Sequence, residues 1–451
     1  MAIPTGAGGA PRPALTPGTP ESSPAAPFPS DRVLPARRVG RTRLGTDLTA
    51  TAFLRRLLPV AVLMVFTAGC DDRLGPSHRP PPPLDPALVA DGREIFRYDT
   101  FGDEAYWTDT LRMHEVIESA VSPELALQVG LKVDSDALPQ SVKDAIAAGD
   151  VDLTDPAMTL ALLELDAVLG VMGEVEEVNG VRRLTSVGIT CALCHSTVDN
   201  SFAPGIGRRL DGWPNRDLNV GAIVALSPAI DADLKQILNG WGPGRYDPRI
   251  NIDGLNTPIM IPPAYGLRQV ARETYTADGV VSYWNAYVAV TQMHGRGDFS
   301  EPALGIFVDV PDAEDRVTSR LPALREYQFS LEAPAPPVGS FDAAAAARGR
   351  GIFNGRARCA RCHDPNRFFT DVNDGTLHAP SETGMDPAYA ARTVNGLYRT
   401  TPLAGVWQHP PYFHDGSAAT LDDVVDHYID VLSLELTPQQ RRDLMEYLKS
   451  L

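Results

Sequence analysis

The chain has 451 residues, of which 43% are apolar and 22% charged, a balance that excludes a wholly disordered, fibrous or polytopic membrane protein. Its 40 Lys and Arg residues stand against 57 Asp and Glu residues, which gives a formal net charge of −17. This charge excludes nucleic-acid binding driven by phosphate neutralisation and favours basic partners. The length allows two or three domains at roughly 150 residues each.

The amino-terminal 69 residues have the composition of a leader and signal peptide. Residues 1–52 are rich in Pro, Gly, Ala and Thr without hydrophobic periodicity, which predicts disorder or a start codon assigned too early. Leu57–Gly69 is a run of 13 apolar residues, too short to span a bilayer as a helix but typical of a signal-peptide core. We therefore expect export of the chain that follows.

Thr67–Cys70 resembles the bacterial lipobox, in which the cysteine is lipidated. This resemblance predicts a lipid anchor at Cys70 as the only attachment to a bacterial membrane, on its periplasmic side. The alternative is an ordinary buried segment with a free cysteine. Residues 70–90 contain a proline run, which predicts a stiff polyproline tether.

The rest of the chain predicts mainly helices joined by long loops. Strand signals are few, and we find no repeat of equal length. The alternating Ala and Pro of Leu331–Val338 cannot continue a helix and mark an internal boundary. The helical patterns lie within Asp91–Ala120, Leu160–Val171, Phe341–Asn354 and Thr437–Leu451.

Four of the five cysteines form two CxxCH motifs, Cys191–His195 and Cys359–His363. In each motif the two thiols lie about one helical turn apart, so both can add to the vinyl groups of one porphyrin. The adjacent histidine then ligates the iron. The pattern predicts two covalently bound haem c groups, attached through Cys191 and Cys194 and through Cys359 and Cys362, with His195 and His363 as proximal ligands.

Two other chemistries use paired cysteines. The four cysteines could bind one zinc ion, or each pair could be a redox dithiol. A zinc site would leave both following histidines without a role, and a redox dithiol would not predict two copies of one pentapeptide. Haem is also consistent with the predicted export signal.

The predicted fold class is mainly α, with two cytochrome c-like haem domains, long loops and an amino-terminal extension. A large planar apolar group in each domain would supply core that a chain with 7% aromatic residues otherwise lacks. The predicted domains are a leader and signal peptide (1–69), a tether (70–90), an extension with the first haem domain (91–331), a linker (332–340) and the second haem domain (341–451).

Three segments of the carboxyl-terminal half carry a family resemblance: Arg399–Trp407, Pro411–Ser417 and Thr420–Val425. They resemble the RTP…PYFHDGS…TLEEVV signature of bacterial di-haem cytochrome c peroxidases, whose superfamily includes MauG. The match is specific from about Ala347 to the end. The resemblance implies an oxidoreductase in which the second haem passes electrons to the first, where hydrogen peroxide is reduced.

The resemblance also implies a distal ligand for the second haem. The family places it fourteen residues after the histidine of HDG, as methionine in the peroxidases and tyrosine in MauG. Here that position is Tyr428, with His427 and Met385 as alternatives. His414 itself is expected to line the haem pocket or to bond a haem propionate.

The first haem is less defined by sequence. We do not find the acid/base glutamate of the family, so no catalytic residue is assigned. The resemblance implies an aromatic bridge between the haems. The candidate bridging residues are Trp213, Trp241 and Trp284, and the residues that could occupy the sixth iron position are Met260, Met293 and His294. Met113 and His114 are further candidate haem ligands, for which the alternative is a role on a helix surface or in the core.

Calcium between the haems is left open, because His409 and Pro411 fall where the family offers backbone carbonyls but the first position is usually threonine. The expected partners are a small electron-donor protein, a cytochrome or cupredoxin, and peroxide. Two other function classes stay open: a non-catalytic electron-transfer cytochrome, and a haem-based redox sensor or structural lipoprotein.

Overall fold

A computed structural model describes residues 82–451, and these residues lie within one compact unit. The leader, the signal peptide, the lipobox cysteine Cys70 and most of the tether lie outside the described residues. None of the helices in the described part is long and apolar enough to cross a membrane.

Helices dominate the described residues. The α-helices are α1 (Pro86–Tyr98), α2 (Met113–Ala120), α3 (Pro123–Gln128), α4 (Gln140–Ala148), α5 (Pro156–Glu164), α6 (Ala192–His195), α7 (Val220–Ala225), α8 (Ala232–Asn239), α9 (Ile250–Asp253), α10 (Val281–Tyr287), α11 (Leu321–Ser330), α12 (Ala343–Asn354), α13 (Pro380–Thr383), α14 (Leu421–Val431) and α15 (Pro438–Lys449). Two π-helical segments cover Ala105–Thr110 and Val288–Gln292. Short 3-10 helices cover Leu267–Gln269, Pro302–Leu304, Thr318–Arg320, Cys359–Arg361, Pro365–Arg367, Val372–Asp374, Ala390–Arg392 and Val406–Gln408.

The strands form five two-stranded sheets within residues 82–451. They are β1 (Val133–Asp134), β2 (Val171–Val178), β3 (Val181–Ile189), β4 (Ser196–Val198), β5 (Ile206–Gly207), β6 (Arg209–Asp211), β7 (Arg245–Tyr246), β8 (Ile259–Met260), β9 (Phe299–Glu301) and β10 (Ile306–Val308). The pairs β2–β3, β4–β6, β7–β8 and β9–β10 are antiparallel, and β1–β5 is parallel.

The helix pair α1–α11 crosses at Gly92. A Cβ atom at this position would overlap the backbone carbonyl oxygen of Ala323, so only glycine allows the two helices to approach this closely. One turn further along each helix, the rings of Phe96 and Tyr327 meet edge to face with centroids 5.4 Å apart.

The pair α12–α15 repeats this crossing in the carboxyl-terminal half. A Cβ atom at Gly349 would overlap the carbonyl oxygen of Asp443. The rings of Phe353 and Tyr447 again meet edge to face, with centroids 5.2 Å apart. Each half of the described chain therefore contains the same arrangement of two crossing helices.

The two crossings also share a short sequence pattern that the search for repeats of equal length missed. The first helix of each pair contains G-R-x-I-F, at 92–96 and 349–353, and the second contains L-x-E-Y, at 324–327 and 444–447. These patterns lie 232 residues apart in the first half, from 92 to 324, and 95 apart in the second, from 349 to 444. The segment between the two patterns is longer in the first half than in the second, so the repeat has no constant period.

The predicted helix over Leu160–Val171 is wrong in its second half, because α5 ends at Glu164. Asp166 and Gly170 adopt positive φ angles, 49° and 74°, which stop the helix. Gly170 also packs against the backbone of Leu193, where a side chain would not fit. The helices predicted within Phe341–Asn354 and Thr437–Leu451 are present as α12 and α15.

The sequence analysis also missed the hairpin β2–β3. Asn179 and Gly180 form its turn with φ angles of 54° and 79°, the conformation that Asn-Gly favours in a two-residue hairpin. Glu176 lies opposite Arg183, a favourable cross-strand pair. The Asn-Gly dipeptide was the available signal, and it was not used.

Gly349→Ala should lower the free energy of unfolding by roughly 1–3 kcal/mol, because the new methyl group has to displace the backbone of α15. Gly351→Ala, in the same helix, is the matched control, since a Cβ there meets nothing within 4 Å. Alanine at this exposed helix position should be neutral or stabilise by up to about 1 kcal/mol. Thermal or denaturant unfolding of both variants measures the difference, and equal stabilities would contradict the close helix crossing.

Candidate functional site

The second CxxCH motif opens on a cavity of about 360 Å³, a volume within the usual range for ligand and cofactor pockets. Cys359, Cys362 and His363 all line it. The apolar side chains around the cavity include Leu403, Val406, Phe413, Leu421, Val424, Leu432 and Leu448. An apolar cavity beside two thiols and an imidazole fits a haem with its planar, mostly apolar surface.

The ring of His363 is oriented by the backbone. Its Nδ1 lies 3.0 Å from the carbonyl oxygen of Phe369, so a proton on Nδ1 is donated there and Nε2 is left free to ligate a metal. Burial lowers the pKa of His363, which favours the neutral, ligating form.

The first motif has the same arrangement. Nδ1 of His195 lies 3.1 Å from the carbonyl oxygen of Pro262, and burial lowers the pKa of His195 to about 4. Cys191 packs at the edge of the core around Phe96 and Tyr287, while Cys194 packs at the edge of a second core around Leu193 and Leu218. This motif therefore lies between two apolar clusters, an environment that fits a buried haem.

Three of the residues considered as distal ligands or pocket residues for the second haem lie in its cavity. Tyr428, Met385 and His414 line the same cavity as His363. Burial raises the pKa of Tyr428 to about 12, with smaller contributions from both cysteines of the motif. The hydroxyl is therefore neutral unless a strong positive centre lies beside it.

His427 and His414 each have one ring nitrogen bonded to a protein atom. His427 Nε2 lies 2.7 Å from the carbonyl oxygen of Thr383, and this side chain does not line the cavity. His414 Nε2 lies 3.0 Å from the hydroxyl of Tyr398, while its Nδ1 is buried without a protein partner. This geometry favours Tyr428 and Met385 over His427 as ligands.

The candidates around the first haem are spread over several elements. The ring of His294 stacks on Tyr106 with centroids 3.6 Å apart, and burial lowers the pKa of His294 to about 4. Met293 and Met113 are buried in separate apolar cores. Nδ1 of His114 is buried without a partner.

Met260 lies elsewhere, in β8, with its sulfur beside Gly416 of the carboxyl-terminal signature. This position faces the second half of the chain. Among the candidates for the sixth position of the first haem iron, His294 is the imidazole that stacks on an aromatic neighbour, Tyr106.

The three candidate bridging tryptophans differ in their surroundings. Trp213 meets Trp407 edge to face, with centroids 6.0 Å apart, and so connects a residue near the first motif to one in the RTP segment. Trp241 donates from Nε1 to Asn256, and Trp284 packs in the core with Tyr287. None of the three lines the described cavity, where Tyr265 and Tyr275 are the aromatic residues contributed by the first half.

A single zinc ion on four cysteines does not fit the described residues, because no three of these cysteines lie together in a group of close metal-ligand atoms. Among residues 82–451, the one cluster with three close metal-ligand atoms is Cys362, Asp371 and His378. His378 is held there by two carboxylates, with Asp371 and Glu382 each 3.0 Å from a ring nitrogen.

The side chain of His409 is buried, with Nδ1 3.1 Å from the Gly405 carbonyl oxygen. His409 and Pro411, the two positions considered for calcium, lie outside the metal-ligand cluster described above. No carboxylate of the described chain therefore joins a three-ligand cluster with His409.

Asp103 is a buried carboxyl group beside the first motif that sequence reasoning missed. Both of its oxygens lie 3.3 Å from the backbone N–H of Ile189, at the end of β3. Burial raises the pKa of Asp103 to about 9, so the group is neutral at pH 7. A neutral carboxylic acid at a buried site is a feature of both structural networks and active sites.

No family model matches the chain. Among curated proteins, it is 32% identical over 160 residues to the methylamine utilization protein MauG of Methylorubrum extorquens, covering 31% of this chain and 45% of the relative. It is 28% identical over 193 residues to the cytochrome-c peroxidase IdrP1 of Denitromonas iodatirespirans, covering 30% of this chain and 50% of the relative. The chain thus spans about half the length of the curated relatives it matches.

Among solved structures, the chain is similar to one of hydrazine synthase from Kuenenia stuttgartiensis pressurized with xenon. The match has a TM-score of 0.32 and 20% identity, and it covers 43% of this chain and 73% of that chain. This TM-score is too low to support a conclusion about fold or function.

Asp103→Asn should change how stability depends on pH. The pKa of Asp103 is higher in the folded protein than in the unfolded chain, so its contribution is complete below about pH 4 and is lost as pH rises towards 9. Relative to the variant, the wild type should lose up to roughly 1.4 kcal/mol per pH unit in this window. Asp109→Asn, an exposed carboxyl on the same segment, is the control. Parallel pH profiles for the wild type and Asp103→Asn would refute a buried neutral acid.

Proposed function

The chain resembles the superfamily of bacterial di-haem cytochrome c peroxidases and MauG, and from this we infer that it is an exported di-haem c-type cytochrome acting as an oxidoreductase. One observation carries the proposal: each CxxCH histidine has Nδ1 beside a backbone carbonyl and Nε2 left free, and the second lines an apolar cavity. Two such motifs fit two haem c groups better than a zinc ion or redox dithiols.

The repeated helix crossing supports two haem domains, within 91–331 and 341–451. In each half, a helix with G-R-x-I-F precedes the CxxCH motif and a helix with L-x-E-Y follows it. Residues 331–337, between these halves, have no helix or strand, as expected for a linker over 332–340. Helix α1 begins at Pro86, and we propose that the tether is the part of 70–90 that precedes this helix.

The haem iron would supply the one-electron and peroxide chemistry, which amino-acid side chains cannot provide. The chain's own residues then fix the reactive groups. His195 and His363 present neutral imidazoles, the four motif cysteines hold the porphyrins, and His414 lines the second pocket. Tyr428 is the distal ligand that we propose for the second haem, because it lines the cavity with His363 and its oxygen is a harder ligand than thioether sulfur.

We propose that hydrogen peroxide is reduced at the first haem with electrons that arrive through the second. The residues near the first site that could hold or move a proton are His294 and Asp103, both neutral at pH 7 because burial shifts their pKa values. A non-catalytic electron-transfer cytochrome is the second candidate function. The stacked pair of His294 and Tyr106 favours the electron-transfer function, provided that the His294 imidazole ligates the sixth position of the first haem iron.

The expected location is the periplasmic side of a bacterial membrane, with a lipid anchor at Cys70 and a small cytochrome or cupredoxin as electron donor. Calcium at the His409 and Pro411 carbonyls is left open.

The proposal is tested by spectra of the purified protein with and without peroxide. We expect two covalent haems per chain in a pyridine haemochrome assay, and a high-spin first haem that reacts with peroxide. A protein without covalent haem would overturn the proposal. Two low-spin haems that do not react with peroxide would support the electron-transfer function instead.

Tyr428→Met should raise the reduction potential of the second haem, since a thioether stabilises reduced iron better than a phenolate does. Tyr428→Phe should remove the ligand, so that the second haem becomes high-spin. Spectroelectrochemistry and paramagnetic resonance measure both effects. His427→Gln is the control, because the His427 ring is turned towards the Thr383 carbonyl. If Met385→Leu changes the spectrum while Tyr428→Phe does not, Met385 is the ligand.

A further inference from the structure

Arg216 connects the backbone of the first motif with the cavity of the second. The N–H of Gly212 donates to the carbonyl of His195 at 2.8 Å, and the N–H of Asn215 donates to the carbonyl of Cys194 at 2.9 Å. Arg216 is the next residue, and its side chain lines the cavity of the second motif. The backbone of the first motif therefore fixes the position of Arg216, while the guanidinium charge of Arg216 lies at the cavity of the second motif.

The backbone of Arg216 is also fixed from its other side by Gly244. Gly244 has a φ of +69°, and a Cβ atom there would lie 2.7 Å from the carbonyl oxygen of Arg216. The N–H of Gly244 donates to the carbonyl of Leu218 at 2.8 Å. The segment that carries the guanidinium is thus held by packing and by backbone hydrogen bonds.

The Arg216 guanidinium has no carboxylate partner in the described chain. Its Nε and Nη1 atoms are buried and make no hydrogen bond. The polar side chains on which its charge acts are the uncharged residues Tyr265, Tyr275, His409 and Tyr412. Leaving two guanidinium donors buried without a hydrogen-bond partner is costly, and an anionic group beside them would offset this cost.

The other charged residues of the cavity already have partners or are exposed. Arg399 pairs with Glu273 at 3.0 Å, and Arg358 is exposed. Glu382 is the acidic residue among those that line the cavity, and it pairs with His378 at 3.0 Å. Arg216 is therefore the cavity's buried guanidinium that an acidic ligand could neutralise.

We propose that Arg216 binds the propionate carboxylates of the porphyrin in the second cavity. The inference rests on the proposed function, since it assumes haem in that cavity. A guanidinium presents its donors in a planar fork that matches a carboxylate, and this match makes the pair strong and directional. Because Arg216 follows the first motif, the contact also fixes the second haem relative to the first.

Two consequences follow for the second haem. A positive charge in the cavity would disfavour the extra positive charge of oxidised haem iron, so Arg216 would raise the reduction potential of a haem bound there. The guanidinium also supplies positive charge beside His409, where a calcium ion would be repelled. Propionate binding here therefore does not require calcium.

The test uses the full-length holoprotein with Arg216→Gln, Arg216→Lys and, as control, Arg245→Gln. Arg245 is half-buried on a nearby strand and does not line the cavity. We expect Arg216→Gln to lower the potential of the second haem and to shift the propionate bending bands in resonance Raman spectra. Arg216→Lys should give smaller changes, and Arg245→Gln should give none. Treatment of the wild type with EGTA should leave both readouts unchanged.

The outcomes separate this inference from the function on which it rests. A wild-type protein without covalent haem overturns the proposed function. A wild-type protein with two haems, in which Arg216→Gln changes neither potential nor Raman bands, overturns only the role of Arg216. Loss of the second haem from Arg216→Gln but not from Arg216→Lys supports the charge pairing, whereas loss from both variants, or a change caused by EGTA, contradicts it.

Discussion

Both motifs depend on the same kind of hydrogen bond, which joins Nδ1 of the CxxCH histidine to a backbone carbonyl oxygen. For His195 the acceptor is Pro262, and for His363 it is Phe369. The contact selects the tautomer in which Nε2 is free, and burial keeps the ring neutral. Pro262 also lines the second cavity, so the acceptor that orients the first histidine lies at the boundary of the second site.

The helix crossings at Gly92 and Gly349 hold the two halves around these motifs. In both, contact between backbones is possible because no Cβ intervenes, and a Phe–Tyr pair packs one turn away. The close approach makes each crossing sensitive to a single methyl group. The first half carries a much longer insertion between its two helices, and this insertion supplies Arg216, Tyr265 and Tyr275 to the second cavity.

Buried polar groups lie beside both motifs. Arg216 lacks a carboxylate, His414 Nδ1 lacks a partner, and Asp103 stays protonated beside the first motif. Such groups are costly in a core and are retained in proteins where they serve specificity or chemistry. Here they surround the spaces that the two porphyrins are proposed to occupy, which gives each of them a chemical reason to be present.

The sequence by itself predicted the covalent chemistry, because the spacing of Cys191, Cys194 and His195 and its second copy depend on local geometry alone. It also predicted α12 and α15, whose caps and apolar faces are local. The tertiary structure decided which side chains from the first half face the second motif. Arg216 carries no signal in its neighbourhood that distinguishes it from a surface arginine, since its role arises from the cavity that it lines together with Tyr265 and His409, which are distant along the chain. The helix crossings were hidden for the same reason: a glycine acquires meaning only when another backbone lies against it.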